Sequence, residues 1–262
     1  MLNKKELNKK DLKITLMFTL LSGLGGLLIA LYQSQNMTTL QLGAMSKEMF
    51  IAISTIQVAI LYGFILSFIG LKLSRATNLN KGLLESLYTN VKYKINSKSA
   101  MIAIGFGCIN AAAIVLSEKF IFARYIPEIA NSTPQFSILY LLGGIVYGGI
   151  VEEIMLRLFL MSLITFILYK IFANKKDKNN IPQYIYWISI IISAILFGVG
   201  HLPAASMMFI LTPIVLFRII FLNAFAGILF GYLYWKNGFE YGVIAHMFSH
   251  IFMQLVFLPI LF

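Results

Sequence analysis

The sequence FSILYLLGGIVYGGIVEEIMLRLFLMSLITFILYKIFA, residues 136–173, decides the fold class of this chain. Its only charged residues are Glu152, Glu153, Arg157 and Lys170. A run of about 20 mostly apolar residues is long enough to cross the hydrocarbon core of a bilayer as a helix. The stretch therefore predicts a membrane-spanning segment that carries ionisable side chains.

The composition of the whole chain agrees with a membrane protein. Apolar residues make up 59% and charged residues 12% of the 262 residues, whereas soluble domains have about 45–50% and about 25%. The net charge is +11, but Lys and Arg lie mostly between apolar blocks, as in cytoplasmic loops of membrane proteins. We therefore expect a lipid bilayer and no nucleic acid as a partner. The single cysteine, Cys108, is expected to be a structural thiol.

The apolar blocks predict an all-α, polytopic transmembrane helix bundle of about seven or eight spans with an intramembrane polar cavity. The blocks are residues 14–32, 49–71, 99–117, 136–173, 184–201, 206–235 and 241–261. Residues 206–235 are interpreted either as one crossing or as a short hairpin plus a crossing. The hairpin is the version expected if the polar residues are to meet at one depth.

The fourth block is too long for a straight span. As one helix it would be about 55 Å long at 1.5 Å per residue, against a hydrocarbon core of about 30 Å. The pairs Gly143-Gly144 and Gly148-Gly149 therefore predict a break or bend, with Glu152 near the start of a helix that continues to Lys170.

Basic segments predict the orientation and the organisation of the chain. The N-terminus, residues 72–98 and residues 170–178 are rich in Lys and are expected on the cytoplasmic side. Apolar residues between 83 and 91 have helical spacing, which predicts a helix on the membrane surface. Residues 1–97 are interpreted as N-terminal spans with a basic cytoplasmic loop, and residues 98–262 as the bundle that carries the chemistry.

Rare ionisable residues are concentrated in a few spans. Of ten acidic residues, only Glu152 and Glu153 lie inside a long apolar run, and all three histidines, His201, His246 and His250, lie in or at the ends of apolar spans. An ionisable residue at the centre of a span costs about 2.5–3.5 kcal/mol on the insertion scale, so its default interpretation is a functional site. We expect these residues to share one cavity.

Helical spacing assigns different tasks to the two glutamates. Glu153 and Arg157 are four residues apart and share a helix face, which predicts an ion pair. Glu152 points about 100° away, which leaves it free to face a cavity and to accept a proton from water. The competing interpretation is a pair of glutamates in the first turn of a helix, favoured by the helix dipole. His246 and His250 also share one face, as in two-histidine zinc helices.

Three motifs resemble the CPBP family of CAAX proteases and bacteriocin-processing enzymes, also called Abi. Its pattern is Glu-Glu-x-x-x-Arg, then Phe-x-x-x-His, then His-x-x-x-Asn or Asp, on successive membrane helices. Residues 152–157 match the first motif, and Phe197 with His201 matches the second. The third motif begins at His246, but His250 stands where the family has Asn or Asp. The resemblance covers about residues 136–254.

The resemblance implies an intramembrane endopeptidase of a bacterial cell membrane that acts on a membrane-associated peptide or protein. It implies that Glu152 activates water with help from His201, and that His246 and its partner His250 stabilise the oxyanion. Glu153, Arg157 and Phe197 would support these four. Eukaryotic members trim CAAX termini, whereas bacterial members are associated with peptide maturation and bacteriocin immunity. No cofactor is required in this mechanism.

Two alternatives stay open at this point. His201, His246, His250 and Glu152 could ligate zinc in a zinc-dependent peptidase, because the extra histidine adds a metal donor. The chain could also be a non-catalytic membrane protein of the bacteriocin-immunity type. A covalent mechanism is not expected, since the neighbours Ser249 and His250 point about 100° apart on a helix.

Overall fold

Seven long helices build the bundle in a computed structural model that describes residues 3–38, 43, 45–89, 91–174 and 177–262. Each is long and apolar enough to cross a membrane, and within the described residues there are helices and no strands. They are α1 (Lys4–Asn36), α2 (Lys47–Ala76), α3 (Ser97–Phe120), α4 (Ile138–Phe172), α5 (Gln183–Gly200), α6 (Pro213–Lys236) and α7 (Phe239–Leu261). The predicted polytopic helix bundle is confirmed. Lys175 and Lys176 of the predicted basic loop lie outside the described residues.

Capping residues set where several helices begin. Asn3 and Glu6 form a capping box at α1, in which each side chain accepts from the backbone of the other. Side chains of Ser46, Asn96 and Ser137 accept from backbone N–H groups at the starts of α2, α3 and α4. These polar residues stand just before apolar runs, so local sequence fixes these helix starts.

The fourth helix corrects one prediction, because α4 is continuous from Ile138 to Phe172 and has no break at its glycines. Most of residues 144–161 form π-helical turns, with Glu152 and Glu153 near their middle. Glu152 is therefore not near the start of a helix. The glycines permit close packing instead, since a Cβ at Gly143 would lie 3.3 Å from Ile29 of α1 and one at Gly149 would lie 2.4 Å from Met247 of α7.

The segment 206–235 also differs from the hairpin interpretation. Residues 213–236 form one crossing helix, α6, and Pro213 occupies its first turn. Residues 206–212 are a connector from the short helix Leu202–Ala205. The expectation that a hairpin is needed is wrong. Glu152 lies well inside α4, and the histidines of α7 lie alongside it without a hairpin.

The basic loop between α2 and α3 packs into the bundle. Its short helix, Leu83–Tyr88, buries Leu84 and Tyr88 to 1% and 7% exposure in the apolar core, so it is not a helix on the membrane surface. The Tyr88 hydroxyl donates to Asp11 Oδ1 at 2.6 Å, and Arg75 Nη2 donates to Asp11 Oδ2 at 2.7 Å. Burial, together with the bond to Asp11, raises the pKa of Tyr88, which therefore stays a donor.

Candidate active site

One cavity of about 880 Å³ brings together the four residues predicted to share a site. Glu152, His201, His246 and His250 all line it. Its wall takes residues from all seven helices, including α1 and α2. The size lies within the 300–1,000 Å³ range of ligand pockets. The residues are therefore placed where a segment of another molecule can reach them.

Glu153 connects Arg157 to His246 behind the cavity. Arg157 Nε lies 3.2 Å from Glu153 Oε2, and the two side chains are 2% and 0% exposed. This confirms the predicted ion pair. His246 Nδ1 donates to Glu153 Oε1 at 2.9 Å, a contact that the sequence did not predict. Because an ionised carboxylate only accepts, this bond fixes the proton on Nδ1 and turns Nε2 of His246 toward the cavity.

Glu152 faces the cavity rather than Arg157. Its side chain is 15% exposed, and Oε2 lies 3.7 Å from His246 Nε2. That distance is longer than a direct hydrogen bond. Glu152 and His246 therefore present a carboxylate oxygen and an imidazole nitrogen side by side at the cavity surface.

His201 and Phe197 complete the site from the end of α5. His201 Nδ1 lies 2.9 Å from the carbonyl oxygen of Phe197, which only accepts, so Nδ1 carries the proton and Nε2 is left as an acceptor. The centroid of the Phe197 ring lies 4.7 Å from the centroid of the His201 ring and 5.4 Å from Cζ of Arg157. Phe197 thus fixes one face of the site, where an aromatic ring stabilises a cation.

His250 fits into a notch in α4 formed by two glycines. A Cβ at Gly144 would lie 2.5 Å from His250 Nδ1, and one at Gly148 would lie 2.6 Å from His250 Nε2. The His250 ring stacks on the His246 ring at 5.3 Å and 13°. Glycine at both positions therefore makes room for the imidazole of His250 against α4.

Substituting Gly148→Ala should displace His250 and disturb the stacked His246. Overpacking of this kind costs about 1–3 kcal/mol, which we expect as a lower midpoint of thermal unfolding in detergent. Adding His250→Asn, which shortens the clashing side chain, should restore the midpoint. Gly105→Ala is the matched control, because a Cβ at Gly105 meets nothing within 4 Å. Equal midpoints for Gly148→Ala and Gly105→Ala would contradict the notch.

Asn110 is a cavity residue that sequence reasoning missed. It lies on α3, is 2% exposed and lines the cavity together with Ser249. Its Nδ2 donates to Ser249 Oγ at 2.7 Å, and among the described residues its Oδ1 is buried without a partner. In the sequence, Asn110 is only a lone amide side chain in an apolar span. Gln57 and Asn223 are too, so the sequence does not single out Asn110.

The zinc alternative can be tested on the geometry of the donors. Within the part of the chain that the structure describes, no three His, Cys, Asp or Glu side chains form a group that could hold a metal ion. A ring nitrogen binds a metal in the plane of its ring, and the nearly parallel rings of His246 and His250 cannot both point at one ion. In this arrangement the two stacked rings of His246 and His250 therefore do not converge on one metal position.

Comparison with known proteins identifies the segment that carries this site. Residues 134–252 match the family model described as type II CAAX prenyl endopeptidase Rce1-like. The matched segment contains Glu152, Glu153, Arg157 and all three histidines. Neither the curated proteins nor the solved structures gave a match. Residues 134–252 of this integral multi-pass membrane protein are therefore similar to the Rce1-like CAAX endopeptidases, a family of peptide hydrolases.

Proposed function

We propose that the protein is an intramembrane endopeptidase that hydrolyses a peptide bond of a membrane-associated peptide or protein with water activated by Glu152. The observation that carries this proposal is the separation of the two glutamates. Glu153 is fully buried between Arg157 and His246, whereas Glu152 faces the cavity. A general base needs such access to a water molecule and to the bond that is cleaved.

The balance of charges supports His246 as the oxyanion donor. Two carboxylates and Arg157 leave one negative charge at the site, and a protonated His246 between Glu153 and Glu152 would balance it. A site whose charges balance costs less free energy to bury than a site with a net charge. The Nε2–H of such an imidazolium points into the cavity, where it can donate to the oxygen of a tetrahedral intermediate.

The proposed reaction proceeds in two steps. Glu152 takes a proton from water while the water oxygen attacks the peptide carbonyl carbon, and the carbonyl oxygen becomes an oxyanion held by His246. The C–N bond then breaks, and the proton on Glu152 passes to the leaving amine. His201, with Nε2 free to accept, orients the attacking water. The products are a carboxylate and an amine, and no metal or covalent intermediate takes part in these steps.

His250 and Asn110 have positioning roles in this proposal. His250 stacks on the face of His246 and keeps that ring in the plane that Glu153 sets. Asn110, held by Ser249, presents an unpaired amide oxygen that can accept from a backbone N–H of an extended peptide. The bond from Asn110 engages the Ser249 hydroxyl, which supports a water mechanism over a serine nucleophile.

Removing metal ions should leave hydrolysis unchanged. The experiment uses protein purified in detergent without a polyhistidine tag, with peptide hydrolysis measured before and after dialysis against a chelator. We expect equal rates, and we expect Cys108→Ala to keep the rate because Cys108 lies on α3, a helix without a histidine. A rate that falls on chelation and returns with added zinc would support the zinc peptidase instead.

We further propose that the protein works in a bacterial cell membrane with its N-terminus in the cytoplasm. Sixteen of the 21 Lys and Arg residues lie at the N-terminus, in residues 72–98, in residues 170–178 or at Lys236. If all seven helices that are long and apolar enough to cross a membrane do so, these four segments share one side. The positive-inside bias of short loops makes that side cytoplasmic.

A further inference from the structure

We infer that the cavity is reached from the membrane face opposite the basic loops, so that the substrate is a peptide segment presented on the extracytoplasmic side. The part of this inference that concerns a substrate rests on the proposed peptidase function.

The two faces of the bundle differ strongly in positive charge. Against sixteen Lys and Arg residues on the basic face, four lie toward the other face: Lys47, Lys119, Arg124 and Arg218. Arg218 is moreover paired with Glu118, with Nε donating to Oε1 at 2.8 Å. A bias of this size in short loops orients a membrane protein with its basic face in the cytoplasm.

The cavity occupies the half of the bundle that is remote from the basic face. In α1 to α6 its lining residues fall within 26–33, 54–66, 110–118, 140–160, 196–200 and 218–226. Each of these segments stops about ten residues or more before the basic end of its helix. Ten residues of helix are about 15 Å long, or half of the hydrocarbon core. In α7 the lining starts at His246, nearer the basic end.

An apolar core closes the cavity toward the basic face. Ile154, Leu158 and Met161 of α4 are fully buried in it, together with Ile185 of α5 and Tyr234 of α6. None of the buried members of this core lines the cavity. Closely packed side chains of this kind leave few gaps as large as a water molecule.

Polar contacts hold the loop between α2 and α3 over that core. Glu240 Oε1 of α7 accepts from the backbone N–H of Leu83 at 3.0 Å and from the Tyr93 hydroxyl at 2.9 Å. Lys81 Nζ donates to the carbonyl oxygen of Trp235 at the end of α6, at 2.9 Å. With the contacts of Asp11, these bonds tie the loop to α1, α6 and α7, so the loop covers this part of the basic face.

The opposite end of the cavity reaches the surface. Gln33, Gln57 and Ala204 line it and are exposed, and they stand near the ends of α1, α2 and α5 that are remote from the basic face. The charged pair Arg218–Glu118 also lines it and leaves this entrance without net charge. A neutral, partly polar entrance suits an uncharged, extended peptide segment at the outer surface of the membrane.

Cysteine labelling tests this inference without any need for activity. Single cysteines replace Gln57 and Asn223, both in the cavity wall, in a full-length chain that carries Cys108→Ser. Thr89→Cys reports the basic face and Thr133→Cys the opposite connector; both positions are exposed. Intact cells are treated with a membrane-impermeant maleimide, and inverted vesicles from the same cells serve as the reverse experiment.

We expect the probes at positions 57, 223 and 133 to be labelled in intact cells, and the probe at position 89 only in inverted vesicles. Labelling of the two cavity probes together with position 89 would overturn the inference, as would labelling of position 89 in intact cells. Cavity probes that react from neither side would overturn it too. Because labelling does not depend on turnover, a protein that fails as a peptidase can still pass or fail this test.

Discussion

Replacing Glu152 with Gln should lower kcat by about 10²–10⁴-fold, the usual contribution of a general base. Glutamine keeps the shape of the side chain but cannot take a proton from water. Because Glu152 faces the cavity and Arg157 is paired with Glu153, the substitution should leave protein yield and thermal unfolding close to those of the wild type. Peptide hydrolysis by the purified variant, measured beside its unfolding midpoint, checks both expectations.

Glu128→Gln is the matched control for this variant. It makes the same chemical change in the exposed connector between α3 and α4 and should keep full turnover. Loss of a general base lowers the rate by about 100-fold or more. If Glu152→Gln retained more than about a tenth of the wild-type rate, the proposed role of Glu152 would be wrong.

Replacing Arg157 with Met should destabilise the protein by about 3–5 kcal/mol, because removal of one partner leaves a buried charge without compensation. Glu153, at 0% exposure, would then keep its bond to His246 Nδ1 but lose its partner guanidinium. The drop is measured as the change in unfolding free energy in detergent. We expect the double variant Arg157→Met/Glu153→Gln to recover much of it, since both charges are then gone.

The double variant also separates stability from chemistry. In Glu153→Gln the amide oxygen can still accept from His246 Nδ1, but the negative charge that balances a protonated His246 is gone, so turnover should stay low even where stability returns. Equal stability of the single and double variants would show that the buried charge is not what Arg157 compensates.

Local spacing was sufficient to predict part of this site. Four residues on a helix bring side chains to one face, so the pairing of Glu153 with Arg157 follows from sequence separation alone. The bond between Glu153 and His246 does not, because these residues are on α4 and α7 and meet only through helix packing. The scarcity of ionisable residues in the apolar spans predicted that they meet, but not which atoms touch.

The glycines of α4 show why the rest was missed. From the sequence, Gly143-Gly144 and Gly148-Gly149 predict a bend, because a straight helix over this stretch is longer than the hydrocarbon core is thick. In the structure they receive Ile29, Met247 and His250 from α1 and α7, and these partners are distant in sequence. The same limit applies to Asn110, whose importance depends on its approach to Ser249. The division of the chain at residues 97 and 98 stays a prediction, and α1 and α2 contribute to the cavity wall.

The central claim is that Glu152 and His246 hydrolyse peptide bonds in this cavity, and detection of the cleaved peptides tests it most directly. The full-length protein, purified in detergent, is incubated with a library of apolar peptides, and new N-termini are identified by mass spectrometry. We predict new termini with the wild type and none above background with Glu152→Gln or His246→Ala. Cleavage at the same sites and rates by all three proteins would contradict the account.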